Sequence, residues 1–277
     1  MTTMKEELSH SKPVVIRRVW ARNVEYEFNL IHQVVGRYPF VSMDTEFPGV
    51  VYSSKLDRHH LQPSEFYNCF KANVDSLKLI QLGLTLSDAN GNLPDFGTNN
   101  CYIWEFNFCD FNVKRDLYNK DSIDLLRRQG IDFNCNVIHG VNSFHFSELM
   151  VRSGLVFNKA VTWVTFHGTY DFGYLVKILT RNKLPDSLGE FLGVLRFIFG
   201  RSVYDMKYMI RYCNGLYGGL ECVASILNVG RIAGKSHQAA SDSLLTWQTF
   251  RKMLPIYFSN NEAKNHAGMI FGLAVTV

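Results

Sequence analysis

The chain lacks several features that would assign it at once. Its six cysteines (Cys69, Cys101, Cys109, Cys135, Cys213 and Cys222) include no Cys-x-x-Cys and no paired metal-ligand spacing, which argues against zinc and against a disulfide framework. Several fall in apolar runs such as Asn100-Cys-Tyr-Ile-Trp104, as expected of reduced, buried thiols in a cytosolic or nuclear protein. Neither sign of charge dominates. A net charge of +4 with a pI near 8.7 permits a nucleic-acid partner without demanding one. No apolar run reaches the roughly 20 residues that a membrane helix needs. The apolar stretch 267–277 is too short for that and is expected to pack on the body or meet a partner. Residues 1–13 are polar, carry no signal-peptide core and are expected to fray. No repeat, low-complexity tract or linker interrupts the remainder, so residues 14–277 are expected to form a single domain.

What is present is a folded composition, with 47% hydrophobic and 19% charged residues. The 14% aromatic content, including 21 Phe, fits an aromatic-rich core or, alternatively, base-stacking platforms. Apolar residues at helical spacing predict a helix over 19–35, opening the domain. Phe40-Val-Ser-Met-Asp-Thr-Glu46 reads as a strand ended by Pro48-Gly49. Residues 51–75 read as a long loop or a partly helical insertion. The alternating run 77–86, the turn Asp88-Ala-Asn-Gly-Asn92 and a return strand over 101–106 predict an antiparallel hairpin. Beyond it come helices at 122–128 and 144–152, a strand over 161–166, a helix at 171–180 and a short strand at 202–204. Asp205 reads as a helix N-cap, and helices at 219–227 and 241–254 complete the body. Meandering strands followed by alternating strands and helices imply an α/β domain.

Asp44 and Glu46 lie two apart on a strand and therefore point the same way. Two carboxylates leaving an apolar strand side by side repel each other, and a divalent cation between them relieves that repulsion; a solvated strand end is the alternative. Asp171 follows a strand at the start of an amphipathic helix, either as a cap or as a third carboxylate near the same sheet end. His167 sits at the intervening turn and reads as structural. In Gly234-Lys-Ser-His-Gln-Ala-Ala-Ser-Asp242, His237 precedes a helix and Asp242 opens it. The small residues Ala239, Ala240 and Ser241 allow close backbone approach, with Ser236 or Ser241 as the cap and Asp242 favouring the positive helix end.

Asp44-Thr-Glu46, Asp171 and the His237/Asp242 pair resemble the exonuclease motifs of the DEDDh branch of ribonuclease-H-like 3′→5′ exonucleases. Further stretches tighten the resemblance: Met43-Asp-Thr-Glu-Phe-Pro-Gly49, Leu79-Ile-Gln-Leu-Gly83, Asp121-Ser-Ile-Asp-Leu-Leu126, Tyr170-Asp-Phe-Gly-Tyr-Leu175, Val203-Tyr-Asp-Met-Lys-Tyr208, Gly218-Gly-Leu220 and His237-Gln-Ala-Ala-Ser-Asp-Ser-Leu-Leu-Thr246. Over residues 14–260 the chain is similar to the CCR-associated-factor poly(A) ribonucleases, the deadenylase subunits of the CCR–NOT complex. Gly168-Thr169, residues 233–236 (Ala-Gly-Lys-Ser) and Ala240 depart from that family's pattern, and the last lies beside Asp242.

The resemblance implies a ribonuclease-H-like mixed sheet flanked by helices and a Mg2+-dependent 3′→5′ exoribonuclease releasing 5′-AMP from mRNA poly(A) tails. It implies two Mg2+ ions, replaceable by Mn2+, held by Asp44, Glu46, Asp171 and Asp242, with His237 as general base. It also implies a NOT scaffold subunit and a leucine-rich-repeat deadenylase as partners, poly(A) RNA 3′ ends as substrate, and a cytoplasmic location with the nucleus as a second one. Phe47 is either a stacking surface for the terminal base or a core aromatic. Arg196, Arg201, Lys207 and Arg211 form a loose basic series for RNA backbone or for solvent. A nonspecific 3′→5′ exonuclease and a non-catalytic adaptor tethering the second deadenylase are the alternatives.

Overall fold

The computed structural model describes residues 12–53, 63–259 and 262–273. Within them one six-stranded mixed sheet is built from β1 (Val14–Val19), β2 (Phe40–Glu46), β3 (Gln81–Ser87), β4 (Cys101–Asn107), β5 (Thr162–Thr165) and β6 (Val203–Asp205), in the spatial order β1-β4-β3-β2-β5-β6. The central three strands, β4, β3 and β2, run antiparallel, and β5 and β6 continue parallel to β2. The expected hairpin and the 88–92 turn are present, the turn closed by Asp88 N–H to the Asn92 carbonyl at 3.0 Å.

The opening of the domain differs from expectation. Residues 14–19 form an edge strand parallel to β4, and the helix, α1, spans only Val24–Val34. The branched residues of Val14-Val-Ile16 favour a strand, but its ladder needs β4, far along the chain. Arg17 then reaches back to buried Glu27 of α1 at 2.6 and 2.9 Å, and Trp104 Nε1 donates to the same carboxylate at 3.1 Å. The irregular stretch 51–75 contains α2 (Pro63–Ser76), while residues 54–62 lie outside the described part, as do residues 1–11 of the frayed-terminus expectation. Helices α3 (Lys120–Arg128), α5 (Ser143–Arg152) and α6 (Thr169–Thr180) fall where expected, and α4 (Phe133–His139) and α7 (Leu188–Phe199) join them. After β6 come α8 (Met206–Met209), α9 (Leu220–Ile226) and the long α10 (Ala239–Tyr257). Among the described residues no helix is long and apolar enough to cross a membrane.

The period of two in the strands sorts the sheet's faces. Val41, Met43, Leu82, Leu84, Trp104, Phe106 and Trp163 join the large aromatic core with Phe28 of α1, Phe70 of α2, Phe146 of α5, Phe172 of α6 and Phe191 of α7. Most of the Phe surplus therefore serves packing. The opposite face is smaller: Val164 packs with Trp247 and Phe250 of α10, and Ile103 with Ala240 and Leu244. On that face β2 and β3 present Ser42, Gly83 and Thr85. Ser42 Oγ donates to the Ser243 carbonyl at 2.8 Å, and Thr85 and Ser243 share a hydroxyl bond at 2.9 Å. A Cβ on Gly83 would lie 2.0 Å from the Ala239 carbonyl, so only glycine lets α10 approach this closely. The residues at the C-terminal stretch also follow expectation as far as they are described: Ile270 and Leu273 are buried in the large core.

Candidate metal and catalytic centre

The centre forms where strand pairing diverges. β2 stays paired to β3 through Asp44↔Gly83 and Glu46↔Gln81, but its pairing to β5 stops at Ser42↔Val164. Beyond that point Asp44 and Glu46 share the α10 face with Ser42, and α10 supplies Asp242. The small residues Ala239 and Ala240 are fully buried, and Ala240, where the sequence departs from the family's pattern, packs in a cluster with Ile103 and Leu244. Thr45, between the two acids, points to the other face, where its hydroxyl donates to Asp171 Oδ1 at 2.5 Å. All four acids thus converge on one end of β2, two from the strand and one from a helix on each side.

Asp171 is no cap. Gly168 holds the N-cap position of α6, and the carboxyl turns to Thr45 instead. The expected capping by Ser236 or Ser241 is also absent: Gln238 is the N-cap of α10, without a side-chain cap bond. Ser241 Oγ instead donates to the Ala233 carbonyl at 2.5 Å and receives Arg231. His237 stands exposed on the preceding loop at φ +58°, a left-handed conformation costly for a non-glycine residue. Its backbone N–H donates to Asp242 Oδ2 at 2.8 Å. One ligand atom each of Glu46, His237 and Asp242 lies within 4.8 Å of the others.

The electrostatics are those of an acid cluster short of positive charge. Burial, then Asp242, Asp171 and Glu46, push the Asp44 carboxyl well above its ordinary value; Arg231 opposes them. Glu46 is raised well above its usual range by burial, then by Asp242, Asp171 and Glu105. Burial pushes Asp171 up to about 7 against the Thr45 hydrogen bond, and raises Asp242 against Arg231. Two ionised carboxylates within 4.8 Å of each other, as Glu46 and Asp242 are, repel by at least about 3.5 kcal/mol at an effective dielectric of about 20. A divalent cation removes that penalty, and hard carboxylate oxygens with one imidazole suit Mg2+ or Mn2+. The donor set therefore fits the expected ions.

Arg231, not singled out from the sequence, and Asp205, read there only as a cap, complete the centre. Arg231 binds Asp242 Oδ1 at 2.5 Å and also pairs with Glu221. Asp205, expected as a cap, does accept from Lys207 N–H at 2.9 Å. It also accepts from His167 N–H at 2.8 Å, Gly168 N–H at 3.1 Å and Phe271 N–H at 2.9 Å. This fully buried carboxylate fixes the turn that delivers Asp171, and His167, at φ +67°, contributes its backbone there. Phe47 stacks on Tyr170 at 4.8 Å and 20°, so one ring face is already engaged. Concavities of about 890 Å³ around Asn112–Ile138 and about 980 Å³ around Phe157–Ser202 contain none of the four acids.

A mixed sheet with four acids gathered at the diverging end of its central strand is the ribonuclease-H-like exonuclease architecture. The family model described as CAF1 family ribonuclease matches residues 19–148. A probable CCR4-associated factor 1 homolog 10 of Arabidopsis thaliana is 46% identical over 99% of this chain and 95% of its own. The Schizosaccharomyces pombe poly(A) ribonuclease pop2 is 42% identical over 94% of this chain and 76% of its own. Its structure with bound Mg2+ and Mn2+ superposes with a TM-score of 0.85 over 93% of this chain and 99% of that one. Yeast CAF1, co-crystallized with the NOT1 MIF4G domain, superposes with a TM-score of 0.75 at 31% identity, covering 93% and 96% of the two chains. The chain belongs to the CAF1 family of ribonucleases.

Proposed function

We propose that this member is an active, Mg2+-dependent 3′→5′ exoribonuclease that shortens mRNA poly(A) tails and releases 5′-AMP. The observation that carries the reading is the convergence of Asp44, Glu46, Asp171 and Asp242 on one strand end, with His237 beside Glu46 and Asp242. Asp44, Glu46, Asp171 and Asp242 would hold the ions, with Thr45 orienting Asp171. When bound, two divalent ions supply an acidified water and charge neutralisation at the phosphate and the departing 3′ oxygen. Exposed His237 accepts the proton of the attacking water as the P–O3′ bond breaks. Phe47, half-buried between the acid pair and the Tyr170 and Tyr174 rings, is the candidate to receive the terminal base.

Support for poly(A) as substrate comes from the 42% identity to a poly(A) ribonuclease. A NOT scaffold subunit as partner is supported by the likeness to CAF1 solved with a NOT1 domain. A leucine-rich-repeat deadenylase as second partner and a cytoplasmic and nuclear location rest on the sequence resemblance.

The test is a gel time course on a 5′-labelled RNA ending in about 20 adenosines, with Mg2+ and with Mn2+, beside Asp44→Asn. A single-nucleotide ladder that slows at the first non-adenosine and is absent in the variant is expected. Equal progress through other 3′ ends would replace the poly(A) reading with a nonspecific exonuclease. No shortening by folded protein with either ion would refute catalysis and leave the adaptor role.

A further inference from the structure

We infer that Arg231 is a positioning residue that locks Asp242 and the loop bearing His237 into one unit, so that acid and imidazole are set together. The inference rests on the proposed catalytic reading for its kinetic consequence, but its geometry stands on the structure alone.

The guanidinium is largely buried, with 15% of the side chain exposed. One end meets Asp242 Oδ1 at 2.5 Å and the Glu221 carboxylate of α9. The other end meets Ser241 Oγ and the Lys235 carbonyl, the latter at 3.4 Å. The remaining ties close the loop: Ser241 Oγ to the Ala233 carbonyl at 2.5 Å, Lys235 N–H to Gln238 Oε1 at 3.0 Å, and Gln238 Nε2 to the Gln129 carbonyl at 3.0 Å. Asp242 Oδ2 takes the His237 N–H. Both oxygens of the acid are thus held, one by Arg231 and one by the loop that Arg231 itself braces. Each oxygen keeps a second lone pair for a cation.

A buried ion pair kept only for stability roughly breaks even against apolar replacements. This one places three of its four contacts on the single loop and helix start that carry His237 and Asp242, where the histidine is left-handed. Only a planar fork bridges two carboxylates, a hydroxyl and a carbonyl at once. A lysine ammonium keeps the charge and loses the bridge. Charge and positioning are therefore separable by one substitution.

The experiment compares wild type with Arg231→Lys by titrating Mn2+ into metal-free protein in a calorimeter and by measuring kcat and KM on oligoadenosine RNA. Positioning predicts that Mn2+ Kd rises and kcat falls, each by about tenfold, with KM within about twofold. Wild-type kcat and Mn2+ affinity in the lysine variant, or tighter Mn2+ binding, would overturn the inference by showing that charge alone matters. If Arg231→Lys does not fold to the wild-type circular dichroism, Glu221→Gln decides, since that side chain is 57% exposed and loosens the fork from outside. It is expected to weaken Mn2+ and lower kcat by about two- to fivefold, and unchanged values would refute the inference. Should wild type itself cleave no RNA, the catalytic reading fails while the Mn2+ titration still tests Arg231.

Discussion

Replacing Asp171 by asparagine isolates the cost of building an acid cluster. Burial raises the Asp171 carboxyl to about 7, against 3.8 when solvated. A carboxyl whose folded pKa is raised binds its proton more tightly in the folded state. Its stabilising effect is complete below about pH 4 and is lost as pH rises through about 7. The shift of about three units corresponds to a ceiling of about 4 kcal/mol. The cluster shares this penalty, since Asp171 also raises Asp44 and Glu46, so about half of it is a reasonable working figure. At roughly 2–4 °C per kcal/mol, metal-free wild type should melt about 4–8 °C lower at pH 8 than at pH 4 through this group. Asp171→Asn keeps an oxygen to accept the Thr45 hydroxyl but cannot ionise. In EDTA it should match wild type at pH 4 and exceed it at pH 8, while losing RNA cleavage. Scanning calorimetry at four pH values on both proteins is the assay. An identical pH slope in the two would refute the account, because the slope would then come from other groups. Saturating Mg2+ should restore the pH 8 melting temperature of wild type by mass action, by about 2.7 kcal/mol at a hundredfold excess over Kd.

Three further substitutions probe the supports of the centre. Gly83→Ala forces a methyl against the Ala239 and Ala240 backbone; it should cost about 1–3 kcal/mol in urea unfolding and lower kcat by displacing Asp242, with wild-type kcat counting against the close-packing argument. Thr45→Val removes the hydroxyl from Asp171, which should move the metal-free stability midpoint upward by about one pH unit; an unmoved midpoint would show that the bond is not felt. Lys177 of α6 donates to the Val74 and Leu77 carbonyls at 2.7 and 2.8 Å, so Lys177→Met should destabilise by about 2–3 kcal/mol without changing kcat, read by denaturant titration and the RNA time course.

The parts legible in the sequence are those written in local periodicity. Asp44 and Glu46 announce a shared face because strands alternate, and Ala239-Ala240 announce a close helix because small residues have few other reasons to lead one. The β2–β3–β4 meander follows from alternating runs and a turn rich in Asn and Gly. β1 did not show, because six residues with two arginines form a strand only by pairing with β4, and their apolar positions merge with the period of the helix behind them. Thr45 has no role legible from its neighbours, because its role exists only through a carboxylate 126 positions away. Asp205 was readable as a cap, but three of its four donors come from a distant turn and from Phe271. Arg231 stood in an unremarkable loop, and the resemblance gave it no role. Contacts set by the fold, rather than by spacing, account for each of these.

The seating of α10 on β2 and β3 joins residues 201 positions apart, through Ser42 and Ser243. The strand acids are made long before their helix counterpart, and neither half holds a complete ligand set. Under the proposed activity, the growing chain therefore stays chemically silent until α10 has been made and has seated itself on the sheet.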